Sequence, residues 1–290
     1  MASPDPMEEL LRARLKRPVG WTLGIKALLR AMYGVDSLSR LTTGQAFFAL
    51  RESKRVLEHL DGRVGDALIK EVLAMNGGTE IVAKGLEHVP KTGAILIGAT
   101  HPIGTFDFLA HAGALLDHRP DLKVVAGRET ERFLGADRVI SVDFNTRFQA
   151  QNVRDLRRAM IAHLENDGAL LIFGSGKVPD MADGLLFEPP WKSGLTNISA
   201  ATGVAVIPAS ANMRNSRHYY RTRRWARRMS GNNAIFGREV ASLRYSSELL
   251  AKLGGRYEVI YGPQLPAGSP PDALQTAAEA LVPGLYVHAA

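Results

Sequence analysis

The sequence predicts an α/β fold: a mostly parallel central sheet flanked by helices, preceded by an N-terminal helical segment. Three observations carry this. Short apolar runs alternate with helical patterns along most of the chain, the order expected of strand–helix–strand units. Several runs are apolar throughout rather than every second residue, as strands covered on both faces require. The first ~75 residues show helical periodicity and no strand-like run.

In chain order, Leu10, Leu11, Leu15, Trp21, Leu23, Ile25, Leu28 and Leu29 lie among Arg12, Arg14, Lys16, Arg17, Lys26 and Arg30, and read as helix. A second helical stretch covers Thr43 to Leu60, with Phe47, Phe48, Leu50, Val56 and Leu57 as its apolar residues. A third covers Val64 to Met75 and stops at Gly77-Gly78. Strands are expected at 80–83, 94–99, 122–126, 139–142, 169–173, 204–209 and 257–261, the sixth ending in proline. Helices are expected at 107–116, 152–166, 194–202 and 272–282. The organisation expected is a helical segment over 1–78 and an α/β domain over 79–290. No internal repeat and no low-complexity segment interrupts it.

The composition is that of a globular chain with ample core material: 290 residues, 46% hydrophobic and 22% charged. No cysteine is present, which excludes a disulfide framework, a cysteine nucleophile and a cysteine zinc site. No apolar run reaches the ~18 residues of a spanning helix. The polar, acidic start at Met1-Ala2-Ser3-Pro4-Asp5-Pro6-Met7-Glu8-Glu9 is unlike a secretory signal, so a cytoplasmic location is expected. The net charge of +7 favours anionic partners: nucleic acid, acidic lipid, a phosphorylated cofactor or an acidic carrier protein.

Four segments carry possible chemistry. In Thr100-His101-Pro102-Ile103-Gly104-Thr105-Phe106-Asp107 a histidine and a carboxylate follow a buried strand, the usual position of reactive groups in α/β proteins. An imidazole exchanges protons near neutral pH, and a carboxylate fixes its tautomer and stabilises its charged form. Six positions along a helix would put the two on different faces, so the segment between them must turn if they are to touch. A loop histidine beside a helix-capping aspartate is the bland alternative. Phe173-Gly174-Ser175-Gly176-Lys177 also follows a strand, and its glycines and lysine suit an oxyanion or phosphate. It lacks the spacing of a Walker A loop or of a G-x-S-x-G elbow. Pro189-Pro190-Trp191-Lys192-Ser193-Gly194 opens a helix with a lysine nearby. The run from Arg214 to Arg228 holds seven arginines, two tyrosines and a tryptophan, a composition for lipid headgroups or stacked bases, or simply for a solvated face.

Taken in order, these segments resemble the lysophospholipid acyltransferase-like family, the glycerolipid acyltransferase superfamily marked by a His/Asp box. Gly85-Leu86-Glu87-His88-Val89-Pro90, Gly93-Ala94-Ile95-Leu96, and His101-Pro102 with Gly104 and Asp107 are similar to its first block, in the form H-P-x-G-x-x-D of a bacterial branch. Val139 to Asp143 resembles the second block, and Phe173 to Val178 stands where the third is expected. Pro190 to Gly194, Val206-Ile207-Pro208 and Arg214-Asn215-Ser216 match the same branch. The chain departs from the pattern at Thr100, where asparagine is usual, and at Gly174 and Ser175, where a proline and an acidic or small residue are usual.

The resemblance implies transfer of a fatty acyl group from a thioester, acyl-CoA or acyl carrier protein, to a hydroxyl or amine of a lipid acceptor such as a lysophospholipid. It implies His101 as general base and Asp107 as its partner. It implies Gly174, Ser175, Gly176, Lys177, Lys192 and Arg147 as substrate-binding residues, backbone N–H groups at 174–176 serving the oxyanion. No cofactor beyond the acyl donor and no metal is implied. The N-terminal helices and the arginine run would bring such a protein to an anionic membrane surface, peripheral on the inner face of the cell membrane. A catalytically inactive lipid-binding module on the same fold is the alternative. Nucleic acid is not an expected partner, because no recognised nucleic-acid motif occurs.

Overall fold

The computed structural model describes residues 6–15, 22–60, 62–142 and 149–287. In chain order its elements are α1 (Pro6–Leu15), α2 (Thr22–Thr43), α3 (Leu50–His59), α4 (Gly65–Ala74), β1 (Glu80–Lys84), β2 (Ile95–Ala99), α5 (Thr105–Leu115), β3 (Lys123–Gly127), α6 (Arg128–Leu134), β4 (Val139–Val142), α7 (Gln149–Glu165) and β5 (Ala169–Phe173). They continue with β6 (Asp180–Ala182), β7 (Leu185–Phe187), α8 (Gly194–Thr202), β8 (Val206–Ala211), α9 (Arg217–Met229), α10 (Ala234–Ser242), α11 (Tyr245–Leu250), β9 (Arg256–Tyr261) and α12 (Pro271–Ala280). The chain forms two compact units, Met1–Gly62 with Asn215–Leu253, and Arg63–Arg214 with Gly254–Ala290.

The second unit is the α/β unit. Its sheet has seven strands in the order β1-β9-β8-β2-β5-β3-β4. Every pairing is parallel except β8 with β9. The central strands are buried along their whole length: all five residues of β2 and all six of β8. Leu96, Leu170 and Val206 from neighbouring strands meet Met160 and Leu164 of α7, Leu195 and Ile198 of α8, and Leu274 and Ala278 of α12 in one apolar core. Helices α4, α5 and α6 pack together, with α5 against β1 and β9 and α6 against β3 and β4. Burial of one such side chain stabilises by roughly 1.5–3 kcal/mol, so these layers dominate the energetics.

The crossovers decide where a ligand can sit. From β2 the chain passes through α5 to β3 on one side; from β5 it passes through α8 to β8 on the other. The two neighbouring strands therefore send their connections apart, which opens a crevice at their C-terminal ends.

Strand β8 does not stop at its proline. Pro208 lies inside it and pairs in register with Gly98. Pairing with β9 begins only at Ala209, so the missing N–H of Pro208 interrupts no ladder on that side, while its carbonyl accepts from the Gly262 amide at 2.8 Å. A short hairpin, β6–β7, lies between β5 and α8, turning at Asp183 and Gly184, both at positive φ. That is the backbone a two-residue Asp-Gly hairpin requires.

The other unit is helical. Met7 and Leu11 of α1, Ile25, Leu29 and Met32 of α2, and Leu50 of α3 form its apolar core. The helix expected over Thr43–Leu60 is shorter than the pattern suggested, because α2 extends to Thr43 and α3 begins only at Leu50. Between them the chain turns on the buried carboxylate of Asp36, which accepts from the amides of Phe48 at 2.5 Å and Leu50 at 2.9 Å. The arginine-rich segment forms α9, which turns at 230–233 and packs along α10. Its start is fixed by buried Glu248, which accepts from the Ser216 amide and hydroxyl at 2.6 Å each, while Ser216 Oγ accepts from the Tyr219 amide. Among the described residues, no helix is long and apolar enough to cross a membrane.

Candidate active site

Register places the two segments singled out in the sequence next to each other. Ala99 of β2 pairs with Phe173 of β5, so the loops that begin at Thr100 and Gly174 leave the sheet side by side. The Gly174 amide donates to the Ala99 carbonyl at 3.0 Å, which prolongs the ladder by one bond. Thr100 is tied to β8 on the other side, its amide donating to Ala209 O at 3.1 Å and its hydroxyl 2.9 Å from that of Ser210.

The chain then turns sharply. Gly104 has φ 105° and ψ −108°, a backbone conformation closed to L side chains, and it delivers the chain into α5 with Asp107 in the first turn. The Asp107 carboxylate is fully buried. Its Oδ2 accepts from the amides of Gly104 at 2.8 Å and Ile103 at 3.0 Å, and the helix start adds a favourable field for an anion. The same Oδ2 is 2.8 Å from His101 Nδ1. Nδ1 is buried, and this carboxylate faces it in close contact. A carboxylate so near favours the proton on Nδ1, which places the lone pair of the neutral ring on Nε2. The imidazole keeps 19% side-chain exposure, enough for a substrate to reach.

Aromatic and apolar groups hold this ring. Phe173 stacks on His101 with centroids 4.3 Å apart and 26° between planes. The edge of His111 approaches the same phenyl ring at 6.1 Å. His111 is wholly buried on α5, and its Nδ1 lies 3.0 Å from the hydroxyl of Tyr261. Burial, with a smaller electrostatic contribution from the neighbouring His101, lowers its pKa to about 3. It is therefore neutral near pH 7, while its neighbour His101 is only partly buried. The sequence reading did not single out His111, although the i, i+4 spacing from Asp107 puts both on one face of α5.

The turn after β5 forms the opposite wall. A Cβ on Gly174 would lie 2.0 Å from the Trp191 indole, so only glycine lets this ring close against the strand end. The Lys192 amide donates to Gly174 O at 3.0 Å, and Gly176, at φ 61°, donates to Phe173 O at 3.0 Å. The amides of Gly174 and Gly176 are thus engaged within the chain, which removes two of the three oxyanion donors expected from sequence. For the third, the Ser175 amide, no acceptor occurs among the described residues. Ser175 Oγ lies 2.7 Å from Glu188 Oε1 and 2.9 Å from Lys177 O.

Glu188 is the second residue the sequence reading missed. Burial pushes its pKa up to about 8, against the opposing hydrogen bond from Ser175, and the carboxylates of Glu279 and Asp107 push the same way. Burial thus favours its protonated form. The Ser175 hydroxyl has one proton, shared between two acceptors within reach, Glu188 Oε1 and Lys177 O. Tyr286, fully buried and raised well above its usual pKa by burial, closes this polar pocket beside Thr100 and Ser210.

The remaining predicted residues fall as follows. Lys177 and Lys192 are exposed at the same turn, with Lys192 Nζ 3.6 Å from the position a Gly176 Cβ would take. Arg147 lies outside the described residues. Among those described, no group of three or more His, Asp or Glu side chains is arranged to hold a metal ion.

No protein-family model matches the chain, and no curated protein matches it. Among solved structures, the fold is similar to that of the 1-acyl-sn-glycerophosphate (LPA) acyltransferase PlsC from Thermotoga maritima. The TM-score is 0.43 and the identity 16%, over 85% of this chain and 92% of that chain.

Proposed function

We propose that the protein is an acyltransferase that moves a fatty acyl group from a thioester, acyl-CoA or acyl carrier protein, to a hydroxyl or amine of a lipid acceptor. The observation that carries this reading is the 2.8 Å contact between His101 Nδ1 and a buried, amide-held Asp107 carboxylate.

In this reading the acceptor itself is the nucleophile. His101 Nε2 takes the proton of the acceptor O–H or N–H as that atom bonds to the thioester carbonyl carbon. Asp107 stabilises the imidazolium that forms. The tetrahedral oxyanion then collapses, the C–S bond breaks, and the leaving thiolate receives the proton from His101. General-base catalysis of this kind contributes ~10²–10⁴-fold. The Ser175 amide is left to assist the oxyanion, and Lys177, Lys192 and Arg147 to hold an acceptor phosphate or carboxylate.

The test is release of free thiol from acyl-CoA or acyl carrier protein on addition of lysophospholipids and amino-lipid acceptors in turn. Acceptor-dependent thiol release that disappears in His101→Ala supports the assignment. Lipid binding with no thiol release from any donor–acceptor pair would move the protein to the non-catalytic reading.

A further inference from the structure

The arginine-rich segment acquires in the fold a feature that its composition does not show. Helix α9 buries Tyr219, Tyr220, Arg223 and Ala226, one stripe at helical spacing. Its opposite side is exposed and mixed: Arg217, Arg221, Arg224 and Arg228 stand around Trp225 and Met229, which are 63% and 69% exposed. Trp225 and Met229 are four residues apart and so share one face.

The chain then turns and α10 begins with Ile235 and Phe236, 60% and 44% exposed. The two helices lie close: a Cβ on Gly237 would be 2.9 Å from Arg223 O and 3.0 Å from Arg227 Cβ. Four large apolar side chains are thus displayed around one end of a tightly packed helix pair. No acidic residue occurs between Arg214 and Gly237.

We propose that the α9–α10 hairpin docks on an anionic lipid bilayer, with Trp225, Met229, Ile235 and Phe236 entering the headgroup–acyl boundary and Arg221, Arg224 and Arg228 contacting lipid phosphates. Charge complementarity selects an anionic partner, and the apolar side chains select lipid. A nucleic acid would satisfy the arginines and could stack on Trp225, but it offers nothing to an exposed Met229 or Ile235, whereas an interfacial helix needs both kinds of group. The inference deepens the proposed function by naming where a lipid-modifying protein meets its surface, and its test needs no turnover.

The full chain is sedimented with phosphatidylcholine vesicles with and without phosphatidylglycerol, at near-physiological salt. Three variant sets are compared: Arg221→Gln with Arg224→Gln and Arg228→Gln; Trp225→Ser with Ile235→Ser and Phe236→Ser; and Leu38→Ser with Leu41→Ser, a control on the exposed apolar stripe of α2. All these side chains are exposed, and thermal melting checks that each variant folds. At about fivefold per arginine, the charge variant should lose on the order of a hundredfold in binding to anionic vesicles. The apolar variant should lose at least about tenfold, and the α2 control should change less than about threefold.

Absence of wild-type binding to anionic vesicles would overturn the proposal. So would an apolar variant that binds like wild type, and loss that follows the α2 control instead of the hairpin. If duplex DNA at the same salt binds as tightly as the vesicles and ignores the apolar substitutions, the surface belongs to nucleic acid and the lipid assignment falls.

Discussion

His101 and Asp107 are joined through one oxygen: Oδ2 of the buried carboxylate faces His101 Nδ1 at 2.8 Å while it also accepts the amides of Ile103 and Gly104. The aspartate therefore does two jobs with one side chain. It orders the turn into α5, and it sets the tautomer of the imidazole.

These two jobs separate on mutation. Asp107→Asn keeps an acceptor for the loop amides but cannot stabilise an imidazolium, so kcat for acyl transfer should fall by ~10²–10⁴ with a small change in melting temperature. Asp107→Ala leaves two buried amides without their acceptor and should also cost roughly 1–3 kcal/mol of stability in urea denaturation. Equal activity loss in both with no stability difference would place the amide contacts outside the folding energetics.

Gly174→Ala puts a methyl group into the Trp191 ring. Overpacking of this kind costs typically 1–3 kcal/mol, and because the ring abuts the strand end next to Phe173, it should also disturb the His101 stack. Pairing it with Trp191→Leu should recover part of the loss. A double variant no better than the single would show that the backbone, not the ring, gives way.

The two buried titratable groups beside the dyad act in opposite directions. Glu188 has a native pKa of about 8 against an ordinary 4.5, so between those values the native state holds a proton that the unfolded chain has lost, and stability falls as pH rises. His111 has a native pKa of about 3 against an ordinary 6.5, so the unfolded chain takes the proton, and stability falls as pH drops through that range. Each slope is at most about 1.4 kcal/mol per pH unit. Where the ranges overlap, from 4.5 to 6.5, they cancel. His101, Asp107, Tyr261, Glu279 and Tyr286 are other titratable groups facing this pair. Denaturation midpoints against pH should show Glu188→Gln removing the alkaline slope and His111→Gln the acid one. An unchanged profile in either variant would contradict the ionisation state given for that residue.

Lys192 stands at the mouth of the turn without a place in the proton-transfer pair. Lys192→Ala should raise KM for a phosphate-bearing acceptor about five- to tenfold, the scale of one charge-assisted hydrogen bond, and leave kcat within about twofold. A selective effect on the acyl donor would assign the lysine to the donor side instead.

The strands that build the site were legible because nothing competes with their signal. Residues 95–99 and 169–173 are apolar throughout, and they occupy the middle of the sheet. His101 and Asp107 were legible as chemistry on a strand-to-helix turn, and the need for a turn between them is met at Gly104. The arginine run hid a helix because its buried stripe is made of tyrosine and arginine, which reads as surface. Helix α2 runs past Gly24 and Gly34, residues that in sequence look like breaks. The β6–β7 hairpin carries an Asp-Gly signal, but three-residue strands are too short to show alternation. Glu188 and His111 could not be singled out, because what makes them notable is burial by segments distant in the chain.

The amides that hold Asp107 are only three and four residues away from it. Phe173, Ser175 and Glu188 arrive from beyond β3, β4 and α7. Neighbouring contacts close quickly and distant ones slowly, since a long loop must first give up its freedom. During refolding, then, the histidine and its carboxylate are expected to meet early, within a nascent turn, and the walls around them to assemble later. A chain caught midway would own its proton-transfer pair before it had anything to hold a substrate against it.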